Sequence, residues 1–369
     1  MRARIRRMGR WRFLVYASAG LLVFIASVFI YAAHGSYRTS REIAIETPDG
    51  IQSLETVLLG GVEQSIYLRS LDASNPVLLF LHGGPGMSEM VPVRHYNREL
   101  EEHFVVVTWD QRGAGKSFSP DIPEETMTLG QIVEDTLELT RMLRERFNVD
   151  RIYLVGHSWG SIVGVHAADR YPDFYHAYVG VGQAVDFVEA EKISYQFTLD
   201  RARALGNEKA VRELQDIGSP PYPVENFAEF IGVQRKWLFR FGGEVYGETN
   251  NLRYVAGILG MHLVAPEYSI GDTVNLVRGN QWSGHLLLDD LHATNLPDQV
   301  PTLDVPTYFF VGRHDYVTVF EKVESYYEVL GAPHSELVWF EESAHSPNFE
   351  EPDRFAREML RVREESVRR

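Results

Sequence analysis

The sequence predicts an α/β fold in which a mostly parallel central sheet is flanked by helices, carries an inserted helical cap and follows one apolar amino-terminal helix. Three observations predict it. Short uninterrupted apolar runs, among them Pro76 to Leu81, Ile152 to Val155, Thr307 to Val311 and Leu337 to Phe340, recur with helix-length segments between them, the pattern of strands buried on both faces. Roughly 125 residues separate the run at Tyr178 to Val181 from the one at Thr307, far more than a loop holds, so they must form structure of their own. Phe13 to Ala33 is a run of 21 residues without a charge, long enough as a helix to cross an apolar layer of about 30 Å.

At the amino terminus, Arg2, Arg4, Arg6, Arg7, Arg10 and Arg12 precede the apolar run with no acid among them, and Arg38, Arg41, Glu42 and Glu46 follow it. This asymmetry predicts a single-pass cell-membrane anchor over 13–33, a cytoplasmic basic segment over 1–12 and a folded domain outside the cytoplasm. The alternative is secretion after signal cleavage. The run exceeds an ordinary signal core, however, and Ala33-His34-Gly35 is a poor cleavage site. Residues 34–50 are expected to hold a linker and the first strand, 51–182 together with 297–369 the sheet domain, and 183–296 the cap. Within the cap, Val185 to Leu205 reads as a long helix and Asn207 caps a second ending at Gly218. Ser219-Pro220-Pro221-Tyr222-Pro223 breaks the chain before helical segments near Phe227 to Phe239 and Asn251 to His262. Tyr195, Phe197, Trp237, Phe239, Tyr254 and Trp282 either line an apolar subsite or pack the cap.

Composition narrows the function classes. The 369 residues are 44% hydrophobic and 24% charged, with formal net charge −15, suited to a large globular domain and repelled by nucleic-acid phosphates. Cysteine is absent, which excludes disulfides, a thiolate nucleophile and cysteine metal sites. No metal-ligand spacing such as HExxH occurs, and neither metal nor cofactor is expected.

Chemistry concentrates at Gly156-His157-Ser158-Trp159-Gly160, which follows the run Ile152 to Val155 and opens a small-residue helix. Strand, sharp turn and helix are the context of a nucleophile elbow, with Ser158 as the nucleophile and flanking glycines relieving the turn. His82-Gly83-Gly84-Pro85-Gly86 follows the run ending at Leu81. A glycine-rich bend there can offer bare N–H donors where negative charge develops, which assigns an oxyanion hole to Gly84 and Trp159. Serine needs a base and the base an orienting acid. The loop after the last run carries His345, and Asp315 follows Thr307 to Gly312; the order Ser158, Asp315, His345 suits elbow-bearing hydrolases. His314, His334, Asp304, Asp289 and Asp290 are rivals in poorer positions. Asp110 and Arg112 either bracket a charged substrate or pin their own loop.

On His82 to Gly86, Trp109 to Ser117, the Gly156 to Gly160 elbow and the late acid and base, the chain resembles the α/β-hydrolase superfamily. More narrowly, it is similar to its proline iminopeptidase branch over roughly residues 50 to 365. The resemblance implies an acyl-enzyme on Ser158, His345 as base and then acid, and short peptides losing an amino-terminal residue, proline among them. Two departures bear on substrate. His157 stands where the branch usually has glycine, and is either a pocket residue or packing beneath the turn. The branch's Trp-x-x-Trp-Glu element, whose glutamate holds the free amine, is missing; the matching stretch Val185 to Lys192 offers Glu189 and Glu191, either an amine anchor or a solvated helix face. The same triad also suits a carboxylesterase or amidase acting on small neutral substrates, and a third reading is a non-catalytic hydrolase-like binding protein. An acidic cap residue close to the acyl pocket would favour the peptidase.

Overall fold

The computed structural model describes the backbone of residues 2–368 and the side chains of 16–24, 26–366 and 368. The chain opens with helix α1 (Arg2–Glu42); the side chains of the six basic-flank arginines and of Phe13 lie outside the described residues. Helix α1 overruns Ala33, which corrects the expectation of a linker and first strand over 34–50. Residues 34–42 stay helical and the first strand, β1 (Ile51–Leu59), starts only after Pro48-Asp49-Gly50. The reason is local: Gly35 costs a helix only about 1 kcal/mol against alanine, and the first proline of the chain is Pro48.

Strand β1 turns through Gly60 and Gly61, both at positive φ (52° and 76°), into antiparallel β2 (Val62–Ser70), the backbone that a tight two-residue hairpin demands. There follow β3 (Val77–Leu81), α2 (Met90–Tyr96), β4 (Val105–Asp110), α3 (Leu129–Phe147), β5 (Ile152–His157), α4 (Trp159–Arg170) and β6 (Tyr175–Val181). Seven helices intervene: α5 (Phe187–Ala204), α6 (Glu208–Ile217), α7 (Phe227–Arg240), α8 (Asn251–Leu263), α9 (Ile270–Leu286), α10 (Leu288–Ala293) and α11 (Leu296–Gln299). The chain ends in β7 (Thr307–Gly312), α12 (Phe320–Val329), β8 (Ser335–Phe340), α13 (Pro347–Glu350) and α14 (Pro352–Arg368).

The eight strands form one sheet in the order β1-β2-β4-β3-β5-β6-β7-β8, with β2 antiparallel to both neighbours and β3 to β8 mutually parallel. Period-two alternation sends Val77, Leu79 and Leu81 of β3 into a core under α3, α4 and α12. Leu78 and Phe80 enter the opposite core with Val93 of α2 and Phe355, Met359 and Val362 of α14. Burial on both faces explains why these strands read as unbroken apolar runs.

Local chemistry sets the helix starts. Thr128 caps α3, Asp186 caps α5 and Asn207 caps α6, each accepting the N–H three residues on. Helix α9, which periodicity did not reveal, begins with a reciprocal capping box between Ser269 and Asp272. Tyr195, Leu199, Ala202, Ala210, Leu214 and Trp237 give the inserted helices a core of their own. The insertion is also stitched to the loop after β4. Ser283 donates to the Gly113 carbonyl at 3.1 Å, and Tyr268 donates to the Asp110 carboxylate at 2.5 Å.

Candidate active site

Parallel strands bring their carboxyl ends to one edge, where ligands of open α/β sheets bind. Ser158 leaves β5, Asp315 follows β7 and His345 follows β8, so residues distant in sequence converge there. Ser158 occupies the turn between β5 and α4 at φ 52°, ψ −119°, a strained backbone for a side chain. The elbow closes because its glycines lack a Cβ. One on Gly160 would lie 2.2 Å from the Leu81 carbonyl oxygen, and one on Gly156 would lie 2.3 Å from that of Gly160.

The three side chains form one hydrogen-bonded line. Ser158 Oγ lies 2.9 Å from His345 Nε2, and His345 Nδ1 lies 3.0 Å from Asp315 Oδ2. With Asp315 ionised, Nδ1–H donates to the carboxylate and Nε2 accepts from the serine hydroxyl. Burial alone would raise the Asp315 carboxyl; His345 and the Thr318 hydroxyl and N–H outweigh it and hold the group below its ordinary range. Glu350 fastens the histidine loop, its carboxylate accepting the N–H groups of Ala344, Ser346 and Tyr246. Gly84 and Trp159 line the cavity beside Ser158, and neither N–H donates a hydrogen bond among the described residues. Gln111 keeps that loop in place: its N–H donates to His82 Nε2 at 3.0 Å and its side-chain carbonyl accepts Trp159 Nε1–H at 3.0 Å.

Several candidates separate here. Arg112 pairs with Asp135, both fully buried, and donates to the Leu59 and Gly60 carbonyls, while Asp110 accepts from Ser88, Tyr268 and the Lys116 N–H. Both pin loops and neither lines the cavity. His314 stacks on Tyr246, Asp304 is exposed, and Asp290 accepts the Leu129 N–H. Glu189 is corrected as an amine anchor: it points to solvent and pairs with Lys192 one turn on. Its neighbour Glu191 does line the cavity but is held by Arg235, because two positions along a helix is a half-turn. Of the six aromatics, Phe239 and Tyr254 line the cavity, whereas Tyr195 and Trp237 pack the cap, Phe197 stacks on Tyr316 and Trp282 meets Phe118.

His157 takes both of its alternatives at once, lining the cavity and packing beneath the elbow. Its Nδ1 lies 2.6 Å from Glu89 Oε1 and its Nε2 lies 3.1 Å from the His345 carbonyl. A carbonyl only accepts, so Nε2 carries a proton; the short contact at Nδ1 then shares a further proton between imidazole and carboxylate. Burial works against the charged ring, yet the Glu89 carboxylate prevails and raises its pKa. Glu89, 7% exposed with its second oxygen unpartnered among the described residues, would be stranded without it. His157→Ala is therefore expected to cost about 3 kcal/mol in urea unfolding, as breaking a buried ion pair does, with the added change Glu89→Gln restoring part. Because the histidine is raised on folding, this stability is fully present below the unfolded histidine value of about 6.5 and lost as pH rises through the higher folded value, so the variant's deficit should shrink in alkali.

Sequence reasoning also missed Glu244. It is half-buried in the cavity wall, its carboxylate hydrogen-bonds to no described residue, and its backbone carbonyl accepts the His345 N–H at 3.1 Å. Burial raises its pKa, with Arg235 and His345 opposing. It lies in the glycine-flanked connection between α7 and α8, where no periodicity marks a site. The cavity that joins these groups has a volume of about 1300 Å³ and runs from Gly84, His157 and Ser158 beneath α5, α7, α8 and α9.

Comparison with known proteins agrees with this geometry. The α/β-hydrolase fold family model matches residues 76–212. The chain is similar to the probable aminopeptidase YbaC of Bacillus subtilis (strain 168), with 35% identity over 84% of this chain and 96% of that one. A proline iminopeptidase of Saccharolobus solfataricus is 25% identical over 80% of this chain and 87% of its own length. The solved proline iminopeptidase-related protein of Thermus thermophilus shares the fold at 21% identity, with TM-score 0.58 over 85% of this chain and 97% of that one. An elbow on a mostly parallel sheet, together with relatives matched across nearly their whole length, establishes that this chain belongs to the α/β-hydrolase superfamily, in its proline iminopeptidase-like branch, and is a hydrolase.

Proposed function

We propose that the chain is a membrane-anchored serine hydrolase that removes amino-terminal residues from short peptides or peptide-like substrates. The observation that carries this reading is the Ser158, His345, Asp315 hydrogen-bonded line beside two N–H groups that donate to nothing else among the described residues. Ser158 Oγ attacks the scissile carbonyl while His345 Nε2 takes its proton; Gly84 and Trp159 hold the oxyanion, and His345 returns the proton to the leaving amine. Water then attacks the acyl-Ser158 ester, His345 again moving one proton, so that each cycle consumes one water. Residues 183–296 act as the cap over a sheet domain of 51–182 and 297–369. Helix α1 supplies the anchor over 13–33, with the basic end inside the cell and the site outside.

Glu244 anchors the substrate ammonium, the role that Glu189 cannot reach and for which Glu191 is already engaged. Its pKa is raised, so ammonium binding strengthens as pH rises through a value above the ordinary glutamate range. Glu244→Gln should raise KM for free-amine aminoacyl arylamides about tenfold or more, leave amino-blocked analogues within twofold and abolish that pH dependence of KM. Equal losses on free and blocked substrates would remove the anchor. The apolar breadth of the cavity favours a second reading, an esterase or amidase on neutral substrates. Turnover of blocked substrates and short nitrophenyl esters alone would select it.

A further inference from the structure

Helix α1 does not stand clear of the body. Ala32 is buried, and Val28, Gly35, Ser36, Thr39 and Ser40 are half-buried on the same side, a stripe at helical spacing. A Cβ on Gly35 would lie 2.5 Å from Val264 Cγ1, at the end of α8. Val28 lies five residues, and so about 8 Å at 1.5 Å per residue, inside the outer end of the apolar run, and Ala32 one residue inside it. The end of α8, which Gly35 meets two residues beyond the run, therefore sits at the outer boundary of the apolar layer.

That surface has the matching composition. Helix α8 carries one charged residue, Arg253, among its 13 residues, and α8 and α9 expose Leu252 (80%), Val255 (51%), Val274 (52%) and Val277 (49%). In a chain of net charge −15 the acids here are paired, Glu248 with Arg253, Glu267 with Arg94 and Asp272 with Lys116, while Arg278 remains exposed over the Phe118 ring. Apolar side chains with their neighbouring acids neutralised and Arg278 exposed suit an anionic lipid surface. Val255 and Val277 also line the cavity, so it reaches this face, as it reaches the exposed Val224, Glu225 and Ala228 at the start of α7. At about 1300 Å³ the cavity exceeds the range of about 300 to 1,000 Å³ usual for small-molecule sites, with Ile258, Leu259 and Leu276 walling the way inward.

We infer that the α8–α9 face rests in the lipid surface and the cavity opens onto it. The substrate is then an aminoacyl ester or amide whose leaving group carries a long apolar chain, drawn from the bilayer rather than from water. This rests on the anchored-hydrolase reading and adds its substrate class: the ammonium lies at Glu244, the carbonyl at Ser158 and the chain along α8 toward the mouth. The bond broken and the single water consumed are unchanged.

The test uses the full chain in phosphatidylglycerol–phosphatidylcholine vesicles with alanyl n-alkyl esters from ethyl to dodecyl. Wild-type kcat/KM should rise at least tenfold along the series. Leu252→Asp combined with Val274→Asp, neither residue lining the cavity, should lose at least tenfold on the dodecyl ester and stay within twofold on the ethyl ester. A flat series, or equal losses on both esters, overturns the inference. Because the chain lacks cysteine, Leu252→Cys and Asp173→Cys give single labelling sites, the latter 93% exposed just before β6 at the opposite edge of the sheet. Lipid-borne nitroxides should quench a fluorophore at 252 and spare one at 173; equal quenching overturns the docked face whatever the activity shows. Failure to float with vesicles removes the anchor, and with it this inference. Failure to hydrolyse even the ethyl ester removes the hydrolase reading, while the quenching still reports the face.

Discussion

Ser158→Ala is expected to lower kcat by about six orders of magnitude, the scale seen when the nucleophile of an interdependent triad is removed. The hydroxyl is the one group in the elbow that His345 Nε2 meets, at 2.9 Å, and alanine offers no atom to acylate. Folding should survive. The exchange keeps the Cβ, so the backbone at φ 52° is no worse for alanine than for serine, and the packing of Gly160 on Leu81 is untouched. A melting temperature within a few degrees of wild type, with turnover gone, is the expected pair of results; activity within tenfold of wild type would assign the nucleophile elsewhere.

Asp315→Asn ranks second, with a loss of about 10⁴ in kcat. The geometry changes little, but an amide that presents an N–H to His345 Nδ1 forces the proton onto Nε2, where the serine hydroxyl then finds no base. The same substitution tests acid stability. Asp315 is lowered on folding, so its contribution is present above the unfolded carboxylate value of about 3.9 and lost as pH falls through the lower folded value. Asparagine removes that pH-linked term. Stability measured across the acid range should separate the two proteins most above pH 4 and bring them together below it. Parallel curves would mean that the Asp315 carboxylate is not favoured by folding.

The sheet and the hydrogen-bonded line of Ser158, His345 and Asp315 were legible for the same reason: both are local patterns. Buried parallel strands write unbroken apolar runs, and Gly156-x-Ser158-x-Gly160 encodes a turn in which a Cβ at either glycine would strike backbone. Glu89, Glu244 and Glu350 were not legible, because their roles come from what the fold sets opposite them. Glu89 matters through His157, 68 residues away, and Glu350 through the N–H groups of two separate loops. For Glu189 and Glu191 the sequence leaves anchor and solvated face both open, and the fold divides them, directing Glu191 inward and Glu189 outward. The first strand was misplaced because a 41-residue helix passes through a segment whose composition alone reads as a linker.

The hydrogen bond between Ser158 and His345 spans 187 residues of chain. At about 5 to 20 residues per second of synthesis, the elbow leaves the ribosome about ten to forty seconds before its base. Through that interval the serine lacks the base that would take its proton, and for most of it Asp315 is missing as well. If the body is exported as it is made, assembly of the reactive group is deferred until His345 has crossed. On the proposed outward topology, the order of the genetic message would then act as a safety catch, keeping the site unassembled on the side of the membrane where its substrates would be the cell's own.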